Sequence, residues 1–502
     1  MSTIAREFFA VACRQPYATA LWWEERRFSY GELAERVEAA AGSLRSLAVA
    51  AGDRVAVGIP NSPDLIVATL AVLHSGGVCV PLNPAYTGDE AGFIVNDSGS
   101  RLVVCEEPLA GKLRSQAVSD VRIVERLNGE ANGITSLERA AEDAALIVYT
   151  SGTTGRPKGA VLSNRALLSN LSSVRNAWRW TARDRLLLTL PCFHLHGLAL
   201  GLLGSLLAGS EIVLRPRFVV EEIATLIARY RITLFFGVPT MYNRLVSMSD
   251  DSRRGCDLSS MRLWVSGSAP LTAATFERFA ARFGHRLLER FGMSEGGFMI
   301  SAPYDQGRRA GVVGYPLPRI DIRIVEPEVA DSGGLRDVAD GEAGELVIRG
   351  ANLFSGYWNQ PEATRRAFVD GYFRSGDLAV REPDGMIRIT GRSSVDIIKT
   401  RGFKVSAVEI ENQLQAHPGV REVAVVGVPD RDQGERIVAV VTVAPGLEVG
   451  VDHLRAFARE HLAPYKVPSE FRLVAEIPST GPGKFSKRRI IDELSTPARD
   501  RC

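Results

Sequence analysis

The sequence predicts an α/β protein. It would have a large N-terminal domain of layered α/β sheets with a barrel-like β subdomain, and a small α+β domain at the C-terminus. Three observations carry this. Short apolar runs recur along most of the chain, with helix-like segments between many of them. From about residue 313 that pattern gives way to strands and turns without long helices. At 502 residues the chain is also too long for a single core.

The apolar runs, in order, are RVAVGI (54–59), RLVVC (101–105), VRIV (121–124), ALIVY (145–149), LLLTL (186–190), EIVL (211–214), TLFFGV (233–238) and RLWVS (262–266). They are continuously apolar instead of alternating, which predicts strands covered on both faces. Helices are expected at DLIVATLAVLHSGG (64–77) and ATFERFAARFG (274–284). The barrel-like part takes DIRIV (321–325), GELVIRG (344–350), GYFRSGDLAV (371–380) and GMIRITG (385–391). After it, AVEIENQLQAHPGV (407–420) and VDHLRAFAREHL (451–462) predict helices, and EVAVVGV (422–428) and RIVAVVTV (436–443) predict strands. The expected division is 1–391 and 392–502.

Composition narrows the function classes. Lysine and arginine number 60 against 58 acidic residues, a net charge of +2, which gives no electrostatic footprint for nucleic acid or an anionic membrane surface. Cys13, Cys79, Cys105, Cys192, Cys256 and Cys502 show no CxxC spacing, so reduced thiols are expected instead of a disulfide or zinc framework. FFAVAC (8–13) is too short for a secretory signal, and GLALGLLGSLLAG (197–209) is too short to cross a bilayer and predicts a buried helix. A soluble, cytoplasmic protein is expected.

The stretch YTSGTTGRPKGA (149–160) is polar and flexible, yet it lies between ALIV and VL, both of which read as buried strand. Glycines let a backbone approach a ligand closely, hydroxyls and N–H groups donate to an anion, and a lysine adds charge. Together they suit a polyphosphate. The spacing is not GxxxxGK[ST], and the next helix starts late, with Ser163 or Asn164 as its cap. The loop itself is therefore expected to hold the phosphates.

This stretch resembles the phosphate loop of the adenylate-forming superfamily, which includes acyl- and aryl-CoA synthetases. Further motifs of that family follow in order: PCFHLHG (191–197), FFGVPTMYNRL (235–245), FGMSE (291–295), YFRSGDL (372–378), GRSSVDIIKTRGFKVSAVEIE (391–411), LAPYKVP (462–468) and PSTGPGK (478–484). They span almost the whole chain. The resemblance implies a carboxylic acid–CoA ligase that uses ATP, Mg²⁺ and CoA. It would first form an acyl-adenylate and pyrophosphate, then the thioester. A thiol on a carrier protein is the alternative acceptor, and a monomer or homodimer is expected.

The resemblance also assigns residues. Thr150, Ser151, Gly152, Thr153, Thr154 and Lys158 would hold the β- and γ-phosphates. Glu295 would bind Mg²⁺, a hard cation suited to one carboxylate plus phosphate oxygens, with Ser294 beside it. Asp377 and Arg392 would hold the ribose. Lys484 would reach the α-phosphate and the substrate carboxylate, while Lys487, Arg488 and Arg489 are expected at a solvated face. Asp396 would be the hinge of a domain rotation that replaces Lys484 with Lys399 and Gly402. His194 would stand near the mouth of the acyl pocket and thiol channel, with His196 structural. The His194–His196 pair has no Cys/His companions, so no metal centre is expected there.

For the acid, the stretch 178–214 with GVPTMYNRL and VSGSAPL resembles malonyl-CoA synthetases. A second carboxylate in a closed pocket needs an arginine, and Arg244 and Arg278 are the candidates. After FGMSE this chain has Gly296 and Gly297, where the malonate enzymes carry larger side chains. That difference predicts a wider pocket and leaves the acid open, from small to medium size.

Overall fold

The computed structural model describes residues 2–115, 121–127, 139–150, 157–305, 307–327, 334–392, 396–400, 403–430, 433–462, 464–481 and 484–495. Ser151, Gly152, Thr153, Thr154 and Gly402 lie outside the described residues, and of Arg392, Lys399 and Lys484 only the backbone is described.

Two large mixed sheets carry most of the chain. One runs, neighbour to neighbour, Tyr315–Pro316, Gly297–Ser301, Leu288–Met293, Leu263–Ser266, Leu234–Gly237, Arg185–Leu188, Glu211–Leu214, Thr19–Trp23 and Arg26–Ser29. From Leu288–Met293 to Thr19–Trp23 the pairing is parallel, with antiparallel strands only toward the edges. The other runs Gly356–Tyr357, Lys158–Ser163, Ala144–Thr150, Val78–Pro81, Arg54–Gly58, Leu102–Cys105 and Arg122–Val124. Every residue of Val78–Pro81, Leu102–Cys105, Leu234–Gly237 and Leu263–Ser266 is buried, as continuously apolar strands require. The helix Pro63–His74 is buried on nearly every face; Ser62 caps it and proline stands in its first turn.

A third sheet is antiparallel: Ile320–Val325, Ala343–Gly350, Tyr372–Arg381 and Phe368–Val369, with Ile387–Arg392 also on Tyr372–Arg381. A separate C-terminal sheet begins at Ile397–Thr400, and its own apolar cluster includes Ile398, Ile410, Val425 and Ala439. The expected helices and strands of this region stand at Ala407–Gln415, Val420–Asp430, Gly434–Val443 and Val451–His461.

Two local departures matter for the site. GLALGLLGSLLAG is buried as expected, but it begins as a π-helix, His196–Leu203, before turning α-helical over Gly204–Ala208. Such widened turns are frequent at functional sites. The segment around FGMSE, for which no strand is expected, is a β-hairpin of Leu288–Met293 and Gly297–Ser301. Among the described residues no helix is long and apolar enough to cross a membrane.

Candidate active site

The phosphate-loop stretch lies between two paired strands. Strands Ala144–Thr150 and Lys158–Ser163 are antiparallel, and the last pair in register is Thr150 with Lys158. Both ends of the loop are thereby fixed side by side. Ser163 caps the helix Asn164–Ala177, its hydroxyl accepting from Ala166 N at 3.1 Å. That helix starts a whole strand after the loop, so its N-terminus is not at the loop. On the outer edge Tyr357 pairs with Ala160, which sets its ring 5.3 Å from the Lys158 ammonium. A cavity of about 580 Å³ opens here, lined by Lys158, Tyr357, Asn359, Glu362 and Arg366.

The FGMSE hairpin faces the same place. Ser294, Glu295 and Gly296 form its turn. Glu295 is buried, and its Oε1 accepts from the Tyr357 hydroxyl at 3.0 Å. Phe354 N donates to Glu295 O at 2.7 Å, and Asn352 Nδ2 to Gly296 O at 2.6 Å, so the turn is held from outside. Among the described residues no lysine or arginine pairs with the Glu295 carboxylate. A buried carboxylate in that state suits a hard cation shared with phosphate oxygens.

Gly296 and Gly297 do not widen the pocket, contrary to the expectation from sequence. A Cβ on Gly296 would meet Met299, Leu353 and Asn352 within 3.3 Å. Gly297 has φ +66°, and a Cβ there would lie 2.4 Å from Asn170 Oδ1. That space is already filled. Asn170 uses both ends of its amide on one residue: Nδ2 donates to Phe298 O at 2.6 Å, and Phe298 N donates to Oδ1 at 3.0 Å.

The arginine candidates are corrected in the same way. Arg244 and Arg278 are both exposed, and Arg278 donates to a backbone carbonyl, Val246 O at 3.5 Å. Among the described residues the buried guanidinium is that of Arg290, 4% exposed, in the first strand of the hairpin. Its Nη2 donates to Ser268 Oγ at 3.0 Å, its Cζ lies 4.6 Å from the Phe298 ring centroid, and its Nε finds no acceptor among the described residues. No carboxylate among the described residues pairs with it, so burial pushes its pKa down to about 9. The neighbouring Glu289 offers no help. Consecutive strand residues face opposite ways, and Glu289 Oε1 accepts from Gly311 N at 2.9 Å. With that one backbone bond, burial raises Glu289 to about 8.

Three groups surround Arg290. Gly267 leaves room for it, since a Cβ there would sit 2.5 Å from Arg290 Nε. Ser268 is exposed and adopts φ +71°, a conformation that costs a non-glycine residue about 1–2 kcal/mol. His196, expected as structural, is buried with Nδ1 3.3 Å from Ser268 Oγ. Burial, then the charge of Arg290, holds its pKa well below the usual histidine range, so the ring is neutral. His194 is exposed, its ring 4.5 Å from that of Phe193. The sequence signal for Arg290 was its position: a charged residue inside the mostly apolar LLERFGM.

Asp377 is buried on Tyr372–Arg381 and stands in register with Arg392. The preceding part of the strand is held by Glu345, which pairs with Arg374 at 2.6 Å and accepts from Gly376 N at 3.3 Å. Lys399 lies in Ile397–Thr400, paired with Lys404, and Lys484 begins the second strand of the hairpin Ser479–Gly481/Lys484–Phe485. Lys487 is not at a solvated face. Its side chain is 14% exposed, and its ammonium lies 2.5 Å from Asp396 Oδ1 and 2.7 Å from Glu411 Oε1.

Known proteins share this architecture. Residues 8–358 match the AMP-binding enzyme family, and residues 409–484 match the AMP-binding enzyme C-terminal domain. The mitochondrial malonate–CoA ligase of Mus musculus is 38% identical over 88% of this chain and 82% of its own. A feruloyl-CoA synthase of Amycolatopsis sp is 34% identical over 95% of this chain and 96% of its own. The ATP-bound crystal structure of MatB from Rhodopseudomonas palustris is 34% identical, covers 98% of this chain and 99% of its own, and superposes with a TM-score of 0.89. The apo form of that protein gives 0.77. The chain therefore belongs to the AMP-binding enzyme family and is an AMP-forming acyl-CoA ligase, with ATP, a carboxylic acid and CoA as its substrates.

Proposed function

We propose that the acid is a small dicarboxylate, with malonate foremost. The observation that carries this is Arg290. A buried guanidinium without an anionic partner is costly, and a second substrate carboxylate laid against it would restore the missing charge. Ser268 is exposed beside its tip, and the neutral His196 adds a ring nitrogen without a competing cation. The malonate–CoA ligases among the relatives support the same reading.

In this reading one substrate carboxylate rests on Arg290 and the other attacks the α-phosphorus of ATP. The bond to pyrophosphate breaks as the acyl–phosphate bond forms. Thr150, Ser151, Gly152, Thr153, Thr154 and Lys158 hold the departing phosphates, and Asp377 and Arg392 hold the ribose. Glu295, with Ser294 beside it, would hold Mg²⁺, which supplies charge neutralisation on the phosphates. Lys484 balances the charge that gathers on the α-phosphate, because this step is one of position and electrostatics. In the second step the CoA sulfur attacks the acyl carbon, AMP leaves, and the thiol proton passes to solvent. Lys399 and Gly402 then border the thiol, with His194 at the channel mouth.

A pyrophosphate-release assay with malonate, methylmalonate, butyrate, octanoate, benzoate and ferulate, with and without CoA, tests this. Malonate should be turned over best. Arg290→Met should lower its kcat/KM about a hundredfold while monocarboxylates change only a fewfold, because only a dicarboxylate loses a charged hydrogen bond. A wild-type preference for a monocarboxylate or an aromatic acid, unmoved by Arg290→Met, overturns it.

A further inference from the structure

The partly buried triad of Lys487, Asp396 and Glu411 has no place in the chemistry above. Its members come from three elements: Asp396 just before the strand Ile397–Thr400, Glu411 on the helix Ala407–Gln415, and Lys487 at the first position of the helix Lys487–Ser495. Glu411 Oε1 also accepts from Val425 N at 2.8 Å, and Ile490 is buried against the sheet that Val425 belongs to, so Lys487 and Glu411 are both fixed to the C-terminal body. Burial opposes the charge on Lys487, but Glu411 and Asp396 outweigh it and keep the ammonium above the usual lysine range. The pair of contacts is firm.

Its effect on Asp396 is geometrical. The Asp396 carbonyl accepts from Ala407 N at 2.7 Å, and the Asp396 carboxylate is held by Lys487. Both branches leaving its Cα on the C-terminal side are thus pinned to one body. Turning ψ would move the side chain relative to the carbonyl and break one of the two. Turning φ moves neither.

We propose that Lys487 is a positioning residue for acyl-adenylate formation. It locks ψ of the hinge residue and confines domain rotation to the N–Cα bond of Asp396. This rests on the reading of Asp396 as the hinge and of Lys484 as the adenylating lysine. Lys487 stands three residues after Lys484, so the clamp also fixes the strand that carries Lys484 to the pivot. The present arrangement superposes on the ATP-bound relative with a TM-score of 0.89 and on its apo form with 0.77, and the clamp is read as serving the step that uses ATP.

The test uses the full chain and the acid that wild type turns over best. Adenylation is read by ATP–pyrophosphate exchange and thioester formation from supplied acyl-adenylate and CoA. Lys487→Met should slow adenylation about tenfold and leave thioester formation within about twofold, the size of an ordinary coupling between sites. Lys487→Arg should restore most of the rate. Asp396→Asn, which leaves Lys487 paired with Glu411, should show the same split, and it carries the test if Lys487→Met does not fold. Equal loss in both steps, or no loss in either, overturns the clamp. Asp396→Pro separates this from the hinge itself, because proline freezes φ, the bond the clamp leaves free. If Asp396→Pro spares both steps the hinge reading fails. If it stops thioester formation alone while Lys487→Met shows no split, only the clamp fails.

Discussion

The Tyr357 hydroxyl donates to Glu295 Oε1 across 3.0 Å, and the Lys158 ammonium lies 5.3 Å from the same ring. One side chain thus joins the phosphate-loop hairpin to the FGMSE hairpin, which come from different sheets. Tyr357→Phe keeps the ring and removes the donor. It should slow adenylation about tenfold, the worth of a hydrogen bond to a charged group, while thioester formation from supplied acyl-adenylate stays near wild type. Equal rates in the exchange assay would remove Tyr357 from the ATP site.

On the role proposed for Lys484, whose charge is needed only while negative charge builds on the α-phosphate, Lys484→Ala should abolish acyl-adenylate formation and largely spare thioester formation. Single-turnover measurements of the two steps decide this. Equal loss in both would make Lys484 structural.

Gly297→Ala tests the filled pocket wall. With φ +66° and Asn170 Oδ1 at 2.4 Å from the added carbon, the variant must strain its backbone and displace Asn170. All acids should lose activity together, with a fall of about 1–3 kcal/mol in stability. A shift of preference toward small acids at unchanged stability would revive the idea of an open wall.

Glu289 gives a pH signature. Its folded pKa is about 8 against an ordinary 4.5, so between those values the folded carboxyl keeps a proton that the unfolded one has lost. The folded state then binds more protons, and stability falls as pH rises. The contribution is fully present below 4.5 and gone once pH has passed 8. Glu289→Gln mimics the protonated acid and should flatten this slope. Urea midpoints at pH 5 and pH 8 should differ less in the variant than in wild type, and parallel behaviour would contradict the assignment.

Much of the fold was legible because buried parallel strands must be apolar throughout. The runs at Arg54–Gly58, Leu102–Cys105 and Leu234–Gly237 announce themselves without any partner being known. The hairpin Leu288–Met293/Gly297–Ser301 did not, because Glu289, Arg290 and three glycines break its pattern, and each is explained only by a distant neighbour. The same reason hid Arg290 as the buried arginine: Ser268 and Phe298 surround it in space, whereas Arg244 and Arg278 merely stood near a suggestive motif. Lys487 sat in a cationic run that ordinarily faces water. Nothing local distinguishes it from Arg488 and Arg489, since both its acidic partners lie more than seventy residues away.

The amide of Asn170 spans 128 positions of sequence to grip Phe298, the residue whose ring lies against Arg290. A scheme that grafts the 290–298 segment of another ligase onto this scaffold, hoping to import a new taste in acids, would leave that grip behind. The transplanted ring would arrive without its vice, and Gly297 would face an asparagine shaped for a different guest. With the acid seated on Arg290 as proposed, selectivity in this protein becomes a two-piece trait. Directed evolution should find that productive changes at 297 or 298 come paired with changes at 170, and libraries that hold Asn170 constant should search mostly empty ground.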